Sequence, residues 1–169
     1  SKVRAAAVQL TDQLDRFAAG RQLAHSLQDE DLALVFVIAD GQNVNGSKLV
    51  EGFNAVFQGT VPVAGGLAGD GSQFESTRVG LNGKPLPGLV AAVGIYGHQL
   101  AVGFGSQGGW EPFGPMRTVT AAEGNVLRAL DGKSALELYK HYLGDLANEL
   151  PAAGLRFPLS IQLPGSEAV

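Results

Sequence analysis

Cysteine is absent from the chain of 169 residues. That excludes disulfides, thiolate catalysis and cysteine-ligated zinc, and it fits a reducing compartment. Positive charge is sparse and scattered: 12 basic residues stand against 16 acidic ones. With no basic cluster, nucleic acid and anionic membrane are not expected as partners. Long apolar runs are missing too, none approaching the ~20 residues of a membrane helix. No short apolar segment follows a basic start, so no secretory signal is expected. The chain lacks the G-x-S-x-G and H-E-x-x-H patterns and any thiol nucleophile. These absences lead to an expectation of a cytoplasmic, non-enzymatic protein.

What is present is a core. Apolar residues make up 45 % of the chain, enough for one domain over residues 1–169 to bury a hydrophobic interior without disulfides or metals. Residues 12–28 read as a helix, with Leu14, Phe17, Ala18, Ala24 and Leu27 near a 3.6-residue period, weakened by Gly20. The run LALVFVIA over 32–39 ends at Asp40-Gly41 and reads as a strand buried on both faces. Ser47 is a candidate cap for a second helix carrying Leu49, Val50, Phe53, Val56 and Phe57 on one side. A short strand from Val61 to Ala64 then opens into a glycine loop, Gly65 to Gly71.

The second half reads as hairpins. Strands are expected from Phe74 to Leu81, before an Asn82-Gly83 turn, and from Leu89 to Tyr96. A Gly97-His98 turn then leads to Gln99–Phe104, and Met116–Ala121 and Asn125–Leu130 complete the set. Ser134 and Glu137 form a capping box for a helix over 134–143, with Gly144 in the C′ position. Asp131 and Ser134 are expected to satisfy its free N–H groups. A last apolar run, Phe157 to Leu163, has no evident partner and suggests a longer parent chain. The fold class is therefore α/β: a mixed sheet with antiparallel hairpins in the second half and helices packed on it.

Three features invite a chemical reading. In the segment Gly65, Gly66, Leu67, Ala68, Gly69, Asp70, Gly71, consecutive glycines can aim N–H groups at an anion. No Lys-Ser/Thr follows, so it is not a phosphate-binding Walker loop. A zwitterion fits better, its carboxylate on the N–H groups and its ammonium near Asp70. A plain turn needing positive φ explains the same residues. The segment 108–115 places the only Trp, Trp110, and Phe113 in a proline-rich loop. They would wall a pocket, dock on a further domain or cap the core. For haem, His98, His141 and Met116 are poor axial ligands, and only His25 lies near an apolar stripe. Asp29, Glu30 and Asp31 read as a solvated loop, not a metal site.

Three stretches taken together resemble the N-terminal region of FIST domains: DLALVFVIAD (31–40), VPVAGGLAGDG (61–71) and the run from Gly108 to Gly144. The resemblance spans roughly residues 30 to 163. It implies an intracellular bacterial sensory domain that binds a small ligand, with amino acids as suggested ligands and haem as a cofactor in some relatives. It also implies a signalling partner such as a histidine kinase or a cyclic-dinucleotide enzyme, and a C-terminal half. Many members carry a Cys-Ser pair in the glycine loop where this chain has Gly66-Leu67. The ligand-binding residues expected on this basis are Gly65, Gly66, Ala68, Asp70, Trp110 and Phe113.

Overall fold

A computed structural model describes residues 2–11, 14–105, 109–162 and 165. The architecture is mixed α/β and divides into two compact units, Ser1–Gly105 and Ser106–Val169. In chain order the first unit holds β1 (Lys2–Gln9), α1 (Arg16–Leu27), β2 (Leu32–Asp40), α2 (Gly46–Phe57), β3 (Val63–Ala68) and β4 (Leu89–Tyr96). Its sheet runs β1-β4-β2-β3. The first three are antiparallel neighbours, and β3 pairs parallel to β2.

Both helices lie over one face of this sheet. Val35, Val37 and Ala39 of β2 join Leu23, Leu27, Leu49, Phe53 and Phe57 in the core. The side chains between them point the other way, so Phe36 and Ile38 stay 44 % and 40 % exposed. The expectation that this apolar run is buried on both faces is thus corrected: both helices of the unit cover the same side.

β1 has no counterpart in the sequence reading. Its Ala5-Ala6-Ala7 centre carries little strand propensity, and its extended form comes from pairing with β4 along all eight residues, Lys2 opposite Tyr96 through Gln9 opposite Leu89. That pairing also explains why Gln99–Phe104 is not a strand. With β1 on one side and β2 on the other, β4 has no free edge for a hairpin partner. Gly97 still turns the chain, donating its N–H to Asp31 O at 2.7 Å. The stretch 74–81 likewise forms only an isolated bridge, Val79 to Leu86, because several of its N–H groups are taken by a side chain described below. The helix expected over 12–28 is Arg16–Leu27, capped by Asp15, whose Oδ1 accepts from Ala18 N at 2.7 Å; residues 12 and 13 lie outside the described residues. Asn45, not Ser47, caps α2, accepting from Lys48 N at 3.2 Å.

Tyr96 closes the far end of α1. Its hydroxyl donates to Leu27 O at 2.6 Å, and Arg4 Nη2 donates to the same carbonyl at 3.0 Å. The Arg4 guanidinium lies 4.4 Å from the centre of the Tyr96 ring, and Asp29 pairs with Lys2 at 2.9 Å and Arg4 at 3.1 Å. Cations thus sit at the negative end of the helix dipole. Of the acidic trio, Asp29 is an ion-pair partner, and the Lys2 ammonium, followed by the Glu30 N–H, holds its carboxyl below the usual range.

α1 and α2 touch through their backbones. A Cβ built on Gly20 would lie 2.2 Å from Leu49 O, and one on Gly52 would lie 2.2 Å from Phe17 O. Gly20 reads as a helix weakness in sequence; in the fold it lets the two helices approach more closely than side chains would allow.

The second unit is an antiparallel meander followed by helical turns. β5 (Val119–Glu123), β6 (Val126–Leu130) and β7 (Lys133–Ser134) precede α3 (Ala135–Leu143), a 3-10 segment (Gly144–Glu149) and α4 (Ala153–Arg156). Asp131 and Gly132 take φ values of 49° and 76°, the pair of positive angles a two-residue hairpin requires. Asp131 does not cap α3. Its carboxylate accepts from Thr118 N at 2.9 Å and Arg117 at 3.2 Å, tying β6 back to the start of β5. Ser134 does cap the helix, accepting from Glu137 N, and Gly144 ends it at φ 58°. Residues 157–162 form no strand; residue 163, the end of the expected run, lies outside the described residues.

Gly20→Ala and Gly52→Ala are each expected to destabilise the protein by ~2 kcal/mol, as overpacking does, although alanine favours an exposed helix by ~1 kcal/mol. Urea unfolding measures the difference, and a neutral or stabilised variant would show that the helices do not meet at these glycines.

Candidate functional site

The parallel strands β2 and β3 end side by side, where ligands commonly bind in open α/β sheets. Asp40 occupies the end of β2 and is fully buried. Its Oδ1 accepts from Gln42 N at 2.8 Å, Asn43 N at 3.3 Å and the Thr77 hydroxyl; its Oδ2 accepts from Asn43 Nδ2 at 2.8 Å and Gly88 N. Burial alone would push this carboxyl up, but the hydrogen bonds from Thr77, Asn43, Gly88 and Gln42 outweigh it and hold the group far below the usual carboxylate range. Every lone pair is occupied, so Asp40 is a structural anion that fastens three chain segments together.

Beside it, an apolar cleft of about 260 Å³ opens between α2 and β3. Leu49, Val50 and Phe53 form its helical wall; Val37, Val63, Gly65, Gly66 and Leu67 form its floor and rim. At Gly65 the floor strand lies against the backbone of β2. A Cβ there would meet Val37 O at 1.8 Å, and the residue holds φ 156°. A second recess of about 230 Å³, lined by Asp29, Glu30, Thr60 and apolar neighbours, lies at the opposite end of β2.

The expected site residues fall in different places. Gly65, Gly66 and Ala68 are strand residues of β3, not loop residues. Alternation along the ladder turns successive N–H groups to opposite sides, so they do not converge on an anion as the nest reading supposed. Gly65 and Gly66 line the cleft; Ala68 and Asp70 do not. Asp70 accepts from Phe74 N at 3.2 Å, Glu75 N at 2.7 Å and Ser76 N at 3.0 Å. These N–H groups, that of Ser76 foremost, keep its carboxyl below the usual range and withdraw 74–76 from any strand ladder. Trp110 and Phe113 belong to the second unit and are 59 % and 92 % exposed; Gly108 of the same loop lies outside the described residues.

The haem reading does not fit these residues. His25, His98 and His141 are all exposed, Met116 is 78 % exposed, and none of them lines either recess. Among the described residues no group of acidic or histidine side chains is arranged to hold a metal ion, and no helix is long and apolar enough to cross a membrane.

The FIST N domain family matches residues 1–133. The chain belongs to that family. The match takes in β1 and α1, which precede the stretches that carried the resemblance in sequence, and it ends at β7. FIST domains are sensory and signal-transduction modules, not a catalytic family. No curated protein and no solved structure matches the chain.

Sequence reasoning found Gly65 and Gly66 but missed the helical wall of the FIST cleft. Leu49, Val50 and Phe53 read as ordinary core positions, and only the tertiary structure sets them across a cleft from β3. The Asp40 hub carried one signal, an acidic residue directly ending an apolar run; Thr77 and Gly88 carried none.

Asp40→Asn is expected to cost ~2–4 kcal/mol, from several charge-assisted hydrogen bonds weakened at once. Because the folded carboxyl titrates below its ordinary value of 3.8, its stabilisation is present above that pH and fades as pH falls through it towards the folded value. Denaturation of both proteins at neutral and acidic pH checks this: the gap between them should narrow in acid, and a constant gap would mean that Asp40 is not the charged hub.

Proposed function

We propose that this chain is a non-enzymatic, intracellular sensing module of a bacterial signalling protein, and that the cleft between α2 and β3 is where it takes its ligand. The observation that carries this reading is the apolar cleft itself, in a chain of a sensory family. Its volume of about 260 Å³ lies just below the ~300 Å³ at which drug-sized ligand pockets begin. That suits a metabolite of amino-acid size with an apolar side chain. Val37, Leu49, Val50, Phe53 and Val63 would hold the apolar part. The outward backbone groups of Gly65 at the cleft would hold the polar part.

Sensing without turnover requires only that the ligand favour one arrangement of the module over another. α2 is seated on α1 through the Gly20–Gly52 contact but is separated from β3 by the cleft. A ligand filling that space would favour one position of α2. The signal would pass to an output partner such as a histidine kinase or a cyclic-dinucleotide enzyme. Neither nucleic acid nor a membrane is needed as a partner.

Thermal melting against a panel of free amino acids tests the reading. An apolar amino acid should raise Tm in a concentration-dependent way, by the equivalent of ~2.7 kcal/mol at a hundredfold excess over Kd. Val50 is 43 % exposed on the cleft wall, so Val50→Glu should leave the ligand-free Tm within a few degrees and abolish the shift. A panel with no effect, or a shift that survives in this variant, would place the ligand site elsewhere.

A further inference from the structure

β3 is an edge strand of the four-stranded sheet, and its free edge runs along the mouth of the cleft. Val35 N–H donates to Pro62 O at 3.0 Å, which sets the phase of the parallel ladder with β2. Groups alternate along such a strand, so Ala64, Gly66 and Ala68 turn N–H and C=O towards β2, and Val63, Gly65 and Leu67 turn theirs outward. Among the described residues, no other backbone group bonds to these three. Val63, Gly65 and Leu67 also line the cleft. One row of residues therefore presents both unpaired backbone groups and an apolar recess.

Exposed edges are usually guarded by charge, proline or a bulge. The other edge strand, β1, carries Lys2 and Arg4. β3 reads VAGGLA, with no charge and no proline, and pairs with β2 in an unbroken register. Its six residues extend about 20 Å at ~3.3 Å each. A strand laid on that length covers far less than the ~800 Å² per partner of a stable dimer, so the occupant is a short segment and not a second folded copy.

We propose that the cleft and the β3 edge form one peptide-binding site, at which a partner protein adds an extended segment as a fifth strand. Backbone hydrogen bonds to Val63, Gly65 and Leu67 would supply affinity, and an apolar side chain entering beside Phe53 would supply specificity, as in other strand-addition interfaces. The proposal deepens the reading of this cleft as the ligand site by naming an extended apolar peptide as its occupant.

The test uses the whole chain and short fluorescent peptides of alternating valine and threonine, with anisotropy and amide hydrogen exchange as readouts. Saturable binding is expected, with slowed exchange at Gly65 and Leu67. N-methylating the peptide nitrogens on the bonding side should weaken binding about tenfold or more, since each removes a hydrogen bond. Leu67→Pro removes only an outward donor and Leu67→Lys places a guard charge on the rim; both should fold and bind weakly. No saturable binding, or a dimer joined through β3 without peptide, would overturn the proposal. Binding indifferent to N-methylation and matched by free amino acids would also overturn it, while leaving the small-ligand reading intact.

Discussion

The buried carboxylate of Asp40 is the constraint on which the first unit depends. A charge without solvent contact survives only when fully hydrogen-bonded, and here the partners come from three places in the chain: the turn after β2, Thr77, and Gly88 just ahead of β4. The single ion thus fixes the end of the central parallel strand, the approach to α2 and the entry to the central antiparallel strand. The long segment between β3 and β4 has little regular structure of its own. It is held by Asp70 at its start and by Asp40 near its middle and end, so carboxylates replace the ladder hydrogen bonds that strands would have provided.

Glycine contacts then set how closely the elements around the cleft approach one another. Gly20 and Gly52 let α1 and α2 meet backbone to backbone, which seats α2 firmly over the core. Gly65 lets β3 lie against the backbone of β2 at the floor of the cleft. The residue type does the same thing in the helices and in the strand: its small size permits close backbone contact. The cleft lined by Leu49, Val50, Phe53 and Val63 adjoins the edge strand β3. The second unit, with its own hairpin fixed by Asp131 and its own capped helix, contributes the exposed Trp110 and Phe113 as a separate set of apolar groups.

Much was legible along the chain because it depends on neighbours in sequence. The helices over 16–27, 46–57 and 135–143 follow from apolar spacing and caps, and Leu89–Tyr96 follows from a mostly apolar run ended by Gly97. The Asp131-Gly132 turn follows from the positive φ both residues tolerate. The misreadings have one physical source. Whether an apolar stretch becomes a strand depends on whether a partner edge is free, and that depends on residues far away. Gln99–Phe104 looked like a hairpin strand until Lys2–Gln9 occupied the edge it needed. Phe74–Leu81 looked like a strand until Asp70 claimed its N–H groups.

The sequence by itself determined the class of the fold, the place of its helices, the family and the importance of the glycines near Gly65. Composition, periodicity and local backbone preference act within a few residues, and a reader of the chain has access to all of them. Tertiary structure alone decided which face of β2 is covered, that Asp40 is a satisfied internal ion, that Gly20 and Gly65 are both close backbone contacts, and that a cleft rather than a loop is the candidate site. Those outcomes depend on distances between residues remote in sequence, such as Gly20 and Leu49, or Asp40 and Gly88, and no local pattern encodes such distances.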